Sequence, residues 1–120
     1  MQVIHAAEGD TTERTGQPLF IGQVWGRALT SAETSADYAL NVVQFAAGAR
    51  TRLHAHSSDQ LLYVVAGIGE TGTPEGVHRI ASGDTVLVPA GEAHWHGAGD
   101  TGSPMSHLSI TRAGSETTIL

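Results

Sequence analysis

Apolar residues along this chain come in short alternating bursts, separated by clusters of Gly, Pro, Ser and Asp. Alternation with a period of two marks half-buried strands, because successive side chains on a strand leave opposite faces. The pattern predicts strands over residues 19–25, 38–45, 50–56, 61–65, 77–80, 85–88, 93–96 and 105–111. No segment holds a helical apolar period for three turns; residues 31–39 offer one turn, with Thr30 or Ser31 as N-cap, and read as a loop. Thr73-Pro74-Glu75-Gly76 places Pro where a β-turn needs a fixed φ and Gly where positive φ costs little, so it joins two antiparallel strands. Ala81-Ser82-Gly83-Asp84 marks another turn. Many short strands without helices between them predict an all-β sandwich or closed barrel, an arrangement that also hides sheet edges.

Composition narrows the function. The 120 residues fit one domain over 1–120, without repeat or linker. The absence of cysteine excludes a disulfide framework and thiolate-held zinc or iron–sulfur centres. Twelve acidic residues against six basic ones, all arginine, give a formal charge of −6 and argue against a nucleic-acid partner, whose phosphates need a concentrated positive patch. No apolar run reaches the roughly 18 residues of a membrane span, so a membrane partner is not expected. Residues 1–10 lack a basic start followed by an apolar stretch, so a cytoplasmic location is expected. What remains as partner is a small molecule.

Candidate chemistry is concentrated in the histidines. His54, His56, His94, His96 and His107 fall in or beside predicted strands, whereas His5 and His78 stand alone. On a strand, residues i and i+2 leave the same face about 6.5–7 Å apart, so His54 points with His56 and His94 with His96. A single histidine is ordinarily a hydrogen-bonded core or surface residue. Two His-x-His pairs in one short chain favour a metal, because burying several imidazoles without a cation wastes their hydration.

Residues 48–67 read G-A-R-T-R-L-H-A-H-S-S-D-Q-L-L-Y-V-V-A-G and residues 83–98 read G-D-T-V-L-V-P-A-G-E-A-H-W-H-G-A. These stretches resemble the two cupin motifs, G-x5-H-x-H-x3,4-E-x6-G and G-x5-P-x-G-x2-H-x3-N, at every spacing. Gln60 stands in place of the motif glutamate and Ala98 in place of the final asparagine. The resemblance implies a small jelly-roll barrel holding a divalent transition metal through His54, His56, Gln60 and His94. Three imidazoles with an amide oxygen suit Mn or Fe, and also Zn, Ni or Co. In the alternative arrangement Gln60 turns away from the metal and hydrogen-bonds a histidine. An amide in place of a carboxylate leaves the cation's charge un-neutralised, which favours Lewis-acid and lyase chemistry over iron redox chemistry.

Alternation on the last long strand sets Leu108 and Ile110 opposite His107, Ser109 and Thr111, so His107 is expected in the cavity as general base, with His96 as a second candidate catalytic residue. The combination H-x-H-x3-Q, H-W-H-G-A and M-x-H-L-x-I is similar to bacterial cupin hydroxynitrile lyases, manganese-type cupins that cleave or form cyanohydrins. That likeness implies that His107 takes the substrate hydroxyl proton as cyanide leaves. Two other classes stay open: a dioxygenase-type cupin, which binds a chelating substrate and O₂, and a non-enzymatic cupin, which binds a sugar, hormone or small acid. Fold alone does not decide among them.

Trp95 is expected to point away from its histidine neighbours, and Asn41, Val43 and Phe45 share one face toward the cavity, with Phe45 reading equally as plain core. Arg50 and Arg52 read as a solvated outer pair or as an anchor for an anionic substrate. Gly48, Gly67, Gly83 and Gly91 read as turn residues. The stretch 19–25 lies outside the motifs, free to pair with a neighbouring subunit, so a homodimer is expected.

Overall fold

A computed structural model describes all of Met1–Leu120. Its strands are β1 (Thr12–Glu13), β2 (Phe20–Ile21), β3 (Val24–Thr30), β4 (Tyr38–Phe45), β5 (Arg50–Thr51), β6 (His54–His56), β7 (Gln60–Thr73), β8 (Gly76–Ala81), β9 (Thr85–Val88), β10 (Trp95–Gly97), β11 (Met105–Arg112) and β12 (Thr117–Ile119). A single 3-10 turn, Gly99–Thr101, is the only helical element, and no helix is long and apolar enough to cross a membrane. The architecture is the expected all-β jelly-roll barrel. One sheet runs β1-β3-β4-β11-β7-β10-β5-β2, with β8 and β9 also on β7, while β6 and β12 form a separate ladder.

The long strand β7 is the spine of the molecule. Its first part, where Gln60, Leu62 and Val64 are buried between exposed Leu61, Tyr63 and Val65, pairs with β9 and β11. Its second part pairs with β8 and β10. The handover falls at a bulge. Ala66 faces Ser106 but Val64 faces His107, so Val65 is the extra residue, and such an insertion bends a strand. Gly67 follows at φ 82°, where a side chain would run into the carbonyl oxygen of Pro104. Gly67 is therefore a strand residue at a bend and not the turn residue expected from sequence.

The pattern located β4 and β9 to the residue, and the hairpin from Thr73 to Gly76 closes as expected. At the next turn, a carboxylate oxygen of Asp84 accepts a hydrogen bond from the Ala81 N–H at 2.8 Å. Two expected strands are each divided. The stretch 19–25 breaks at Gly22 (φ 83°) into β2, which pairs with β5, and β3, which lies between β1 and β4. Within that segment β3 is covered on both sides and its Val24 is fully buried, whereas β2 ends the sheet with β5 as its one neighbour. The stretch 50–56 breaks at Arg52 and Leu53 into β5 and β6, which belong to different sheets.

Val24, Val43, Phe45, Ala49, Val64, Ile80, Ala98 and Met105 form the apolar core. Just as many buried residues are polar: Thr51, His54, Ser58, Gln60, Thr71, His94, His96 and His107. Burying a polar side chain costs free energy unless it is paired. A barrel interior so rich in imidazole is thus built to hold something, at the expense of packing.

Candidate metal centre

His54 and His94 are set against each other by the backbone. Each one's N–H donates to the other's carbonyl at 2.9 Å, an isolated antiparallel bridge between the start of β6 and the segment before β10. His56 joins them two residues along β6. Ring centroids are 4.3 Å apart for His54 and His94, 4.9 Å for His54 and His56, and 5.6 Å for His56 and His94. One nitrogen from each ring lies within 4.8 Å of the others.

Which nitrogen is free follows from the surroundings. Nδ1 of His54 lies 2.8 Å from the Arg52 carbonyl, Nδ1 of His94 2.9 Å from the Glu92 carbonyl, and Nδ1 of His56 2.9 Å from the Thr117 hydroxyl. The two carbonyls can only accept, so the proton of His54 and of His94 sits on Nδ1 and Nε2 is left bare; the hydroxyl allows His56 the same form. Nε2 of His54 and of His56 is buried without a partner. Burial pushes the pKa of His54 down to about 4 and also lowers those of His56 and His94, keeping all three in the neutral, ligand-competent form at neutral pH.

Gln60 completes the group. Its amide N–H donates to Ser109 Oγ at 2.9 Å, which turns Oε1 inward to 2.9 Å from His94 Nε2. With the His94 proton on Nδ1, that contact brings two lone pairs together, an arrangement that a cation between them would relieve. The donor set of three imidazole nitrogens and one amide oxygen fits a divalent transition metal.

His96 and His107 form a second pair in the same interior. His96 Nδ1 lies 2.9 Å from His107 Nε2, and the outward nitrogens, His96 Nε2 and His107 Nδ1, have no partner. Phe45 packs against both rings, at centroid distances of 6.1 and 5.4 Å. Burial holds His96 well below the usual histidine range, with nearby His107 adding to the fall, and holds His107 at about 4. Both rings line a cavity of about 260 Å³ together with His54, His56 and Gln60.

Asn41 and Val43 line this cavity as expected, as do His107, Ser109 and Thr111, whereas Phe45 belongs to the core behind the histidine pair. Trp95 faces outward beneath the Arg50 guanidinium, 4.6 Å from the ring centre. Arg52 donates from Nε to the Pro18 carbonyl at 3.1 Å, on the surface. Neither arginine reaches the cavity; Arg14, which carries no sequence signal, does. A larger hollow of about 570 Å³ lies near Tyr38, Leu61, Leu87 and Ile110 on the outer face and contains no histidine.

Residues 41–111 match the Cupin_2 family, a cupin domain. The chain belongs to the cupins. The cupin is 46% identical over 72 residues to an (R)-mandelonitrile lyase of Granulicella tundricola, a match covering 57% of this chain and 52% of that protein. It therefore spans about half the length of that relative. Among solved structures, a cupin-like protein of Thermotoga maritima superposes with a TM-score of 0.85 at 26% identity, covering 94% of this cupin and 87% of that chain. The polyketide cyclase RemF of Streptomyces resistomycificus shares the fold at 18% identity, with a TM-score of 0.80 and coverage of 100% and 87%.

Proposed function

We propose that this cupin is a metal-dependent lyase that cleaves or forms cyanohydrins, with His54, His56, Gln60 and His94 holding Mn(II) or Fe(II) and with His107 and His96 handling the proton. The observation that carries the reading is that His54, His56 and Gln60 of the candidate centre and the His96–His107 pair open onto one small cavity. The partial likeness to a mandelonitrile lyase supports the choice of reaction.

A divalent cation bound there supplies Lewis acidity toward a substrate oxygen. Burial keeps His107 neutral, and in the tautomer whose proton sits on Nε2 toward His96 its bare Nδ1 can accept the substrate hydroxyl proton, while the 2.9 Å contact with His96 shares the resulting charge. As the hydroxyl proton leaves, the carbon–cyanide bond breaks and its electron pair departs with cyanide. The proton passes from the histidine pair to cyanide, so the products are the carbonyl compound and HCN. The reaction needs no oxidant.

The test is cyanide release from mandelonitrile by Mn-loaded protein, with and without O₂. Activity should persist without O₂, and His107→Ala should lower kcat by roughly 10²–10⁴-fold with metal content unchanged. No release above the metal-free control would overturn the lyase reading. O₂ uptake in step with substrate consumption would replace it with dioxygenase chemistry.

A further inference from the structure

The histidine cavity carries one feature that cyanohydrin chemistry does not use. Arg14, just after β1, lines it. The side chain reaches the interior because residue 26 on β3 has none of its own. A Cβ on Gly26 would collide with the Arg14 side chain, 2.9 Å from Cδ, 2.6 Å from Cζ and nearer still to Nε. Gly26 faces Val43 on β4, and Val43 in turn faces His107 on β11. Residues opposite one another in an antiparallel ladder share a face, so the space above Gly26 belongs to the same interior as His107. Adjacent strands lie about 4.8 Å apart, which sets the backbone at Gly26 about 10 Å from that at His107.

Charge makes this placement consequential. The chain carries a formal −6, yet no Asp or Glu lines the cavity, and Arg14 is the only permanently charged residue there. The glutamine at position 60 leaves a divalent cation un-neutralised as well. A guanidinium beside such a centre repels it unless an anion comes between them. Guanidinium geometry matches a carboxylate through two parallel N–H···O bonds. We infer that Arg14 is an anion anchor and that the ligand of this cavity is a small hydroxy or oxo acid, its carboxylate on Arg14 and its other oxygen toward His54, His56 and His94. At about 260 Å³ the cavity falls just below the roughly 300–1,000 Å³ of typical ligand pockets, as a short acid requires. The inference rests on this cavity being the ligand site and goes beyond the lyase reading, because a hydroxy or oxo acid has no nitrile to release and is bound there as a ligand distinct from the cyanohydrin.

Mandelate and mandelamide share one carbon frame and differ in charge at the group that replaces the nitrile. Their affinities are to be measured by titration calorimetry on the full chain, metal-free and again with Mn bound. Mandelate should bind roughly tenfold or more tightly in both forms, and the preference should shrink as salt is raised. Arg14→Gln should abolish it. Gly26→Ala should abolish it too by displacing the guanidinium, and the collision is with a flexible side chain, so the fold is retained if Arg14→Gln proves unstable. Equal affinities would overturn the inference. So would a preference that survives both variants, including one confined to the Mn-loaded form, which would put the carboxylate on the metal. Because the metal-free measurement involves neither metal nor turnover, it can fail while cyanide release succeeds, and the reverse.

Discussion

Two groups of histidines share one interior and differ in how their Nδ1 atoms are held. His54 and His94 each have Nδ1 against a carbonyl, which fixes the proton there and leaves Nε2 bare, and His56 has Nδ1 against the Thr117 hydroxyl, which permits the same form. His96 and His107 hold only each other, and the proton between them can belong to either ring. A metal ligand needs a lone pair in a fixed place. A proton carrier needs two states of similar energy. The same residue type in one interior is thus suited to two different roles, holding a metal or exchanging a proton, according to what stands behind it.

Removing the holding set should produce the largest effect. The double variant His54→Ala, His94→Ala takes away two convergent nitrogens and the ring that faces Gln60, and should fail to retain stoichiometric metal while remaining a β-barrel by circular dichroism. Elemental analysis after dialysis against trace metal checks this. One full equivalent retained would place the metal elsewhere.

Acid should separate the groups next. In metal-free protein His107 titrates at about 4 when folded, whereas an unperturbed imidazole titrates near 6.5, so between these values the unfolded chain binds more protons. Its contribution to stability is full above pH 6.5, is lost as pH falls toward 4, and changes no further below. The loss for this fully buried ring is about 3 kcal/mol. His54, also held at about 4, titrates over the same window. Urea unfolding at pH 7.5, 5.5 and 4.5 should show the decline, and His107→Gln should flatten it by up to one proton. Identical stability at all three values would contradict the burial described for these rings.

The meeting of His54 and His56 on one face was legible in the sequence because a His-x-His pair on a strand must point one way, whatever the rest of the fold does. The inward face of β11 was legible for the same reason. Contacts between strands were not. β11 pairs with β7 between Gln60 and Gly67 and β10 pairs with it further along, at Glu70–Gly72, so no single strand's alternation reveals that His96 meets His107. The full length of β7 was hidden where Ala66-Gly67-Ile68-Gly69 interrupts the apolar alternation and the strand changes partners. The short exposed strands β1 and β12 bury no face and so leave no period to read. Arg14 shows the limit most clearly, since its place depends on a missing side chain twelve positions away on the neighbouring strand.

The smallest expected effect tests the holding principle itself. Of the three groups that face Nδ1, two are backbone carbonyls beyond the reach of substitution, and one is the Thr117 hydroxyl on β12. Thr117→Val keeps the branched shape that suits a strand and deletes only the polar partner of His56. Loss of an outer partner of a metal-bound histidine ordinarily costs about 10–100-fold in metal affinity. Thr117 is exposed, so water can take over part of its role, and the loss should lie near the lower end, about tenfold. Competition with a chelating dye would measure it, with an unchanged melting temperature of the metal-free protein as control. Unaltered affinity would mean that His56 presents its lone pair without help from behind, and the distinction between held and exchanging histidines would then rest on His54 and His94 alone.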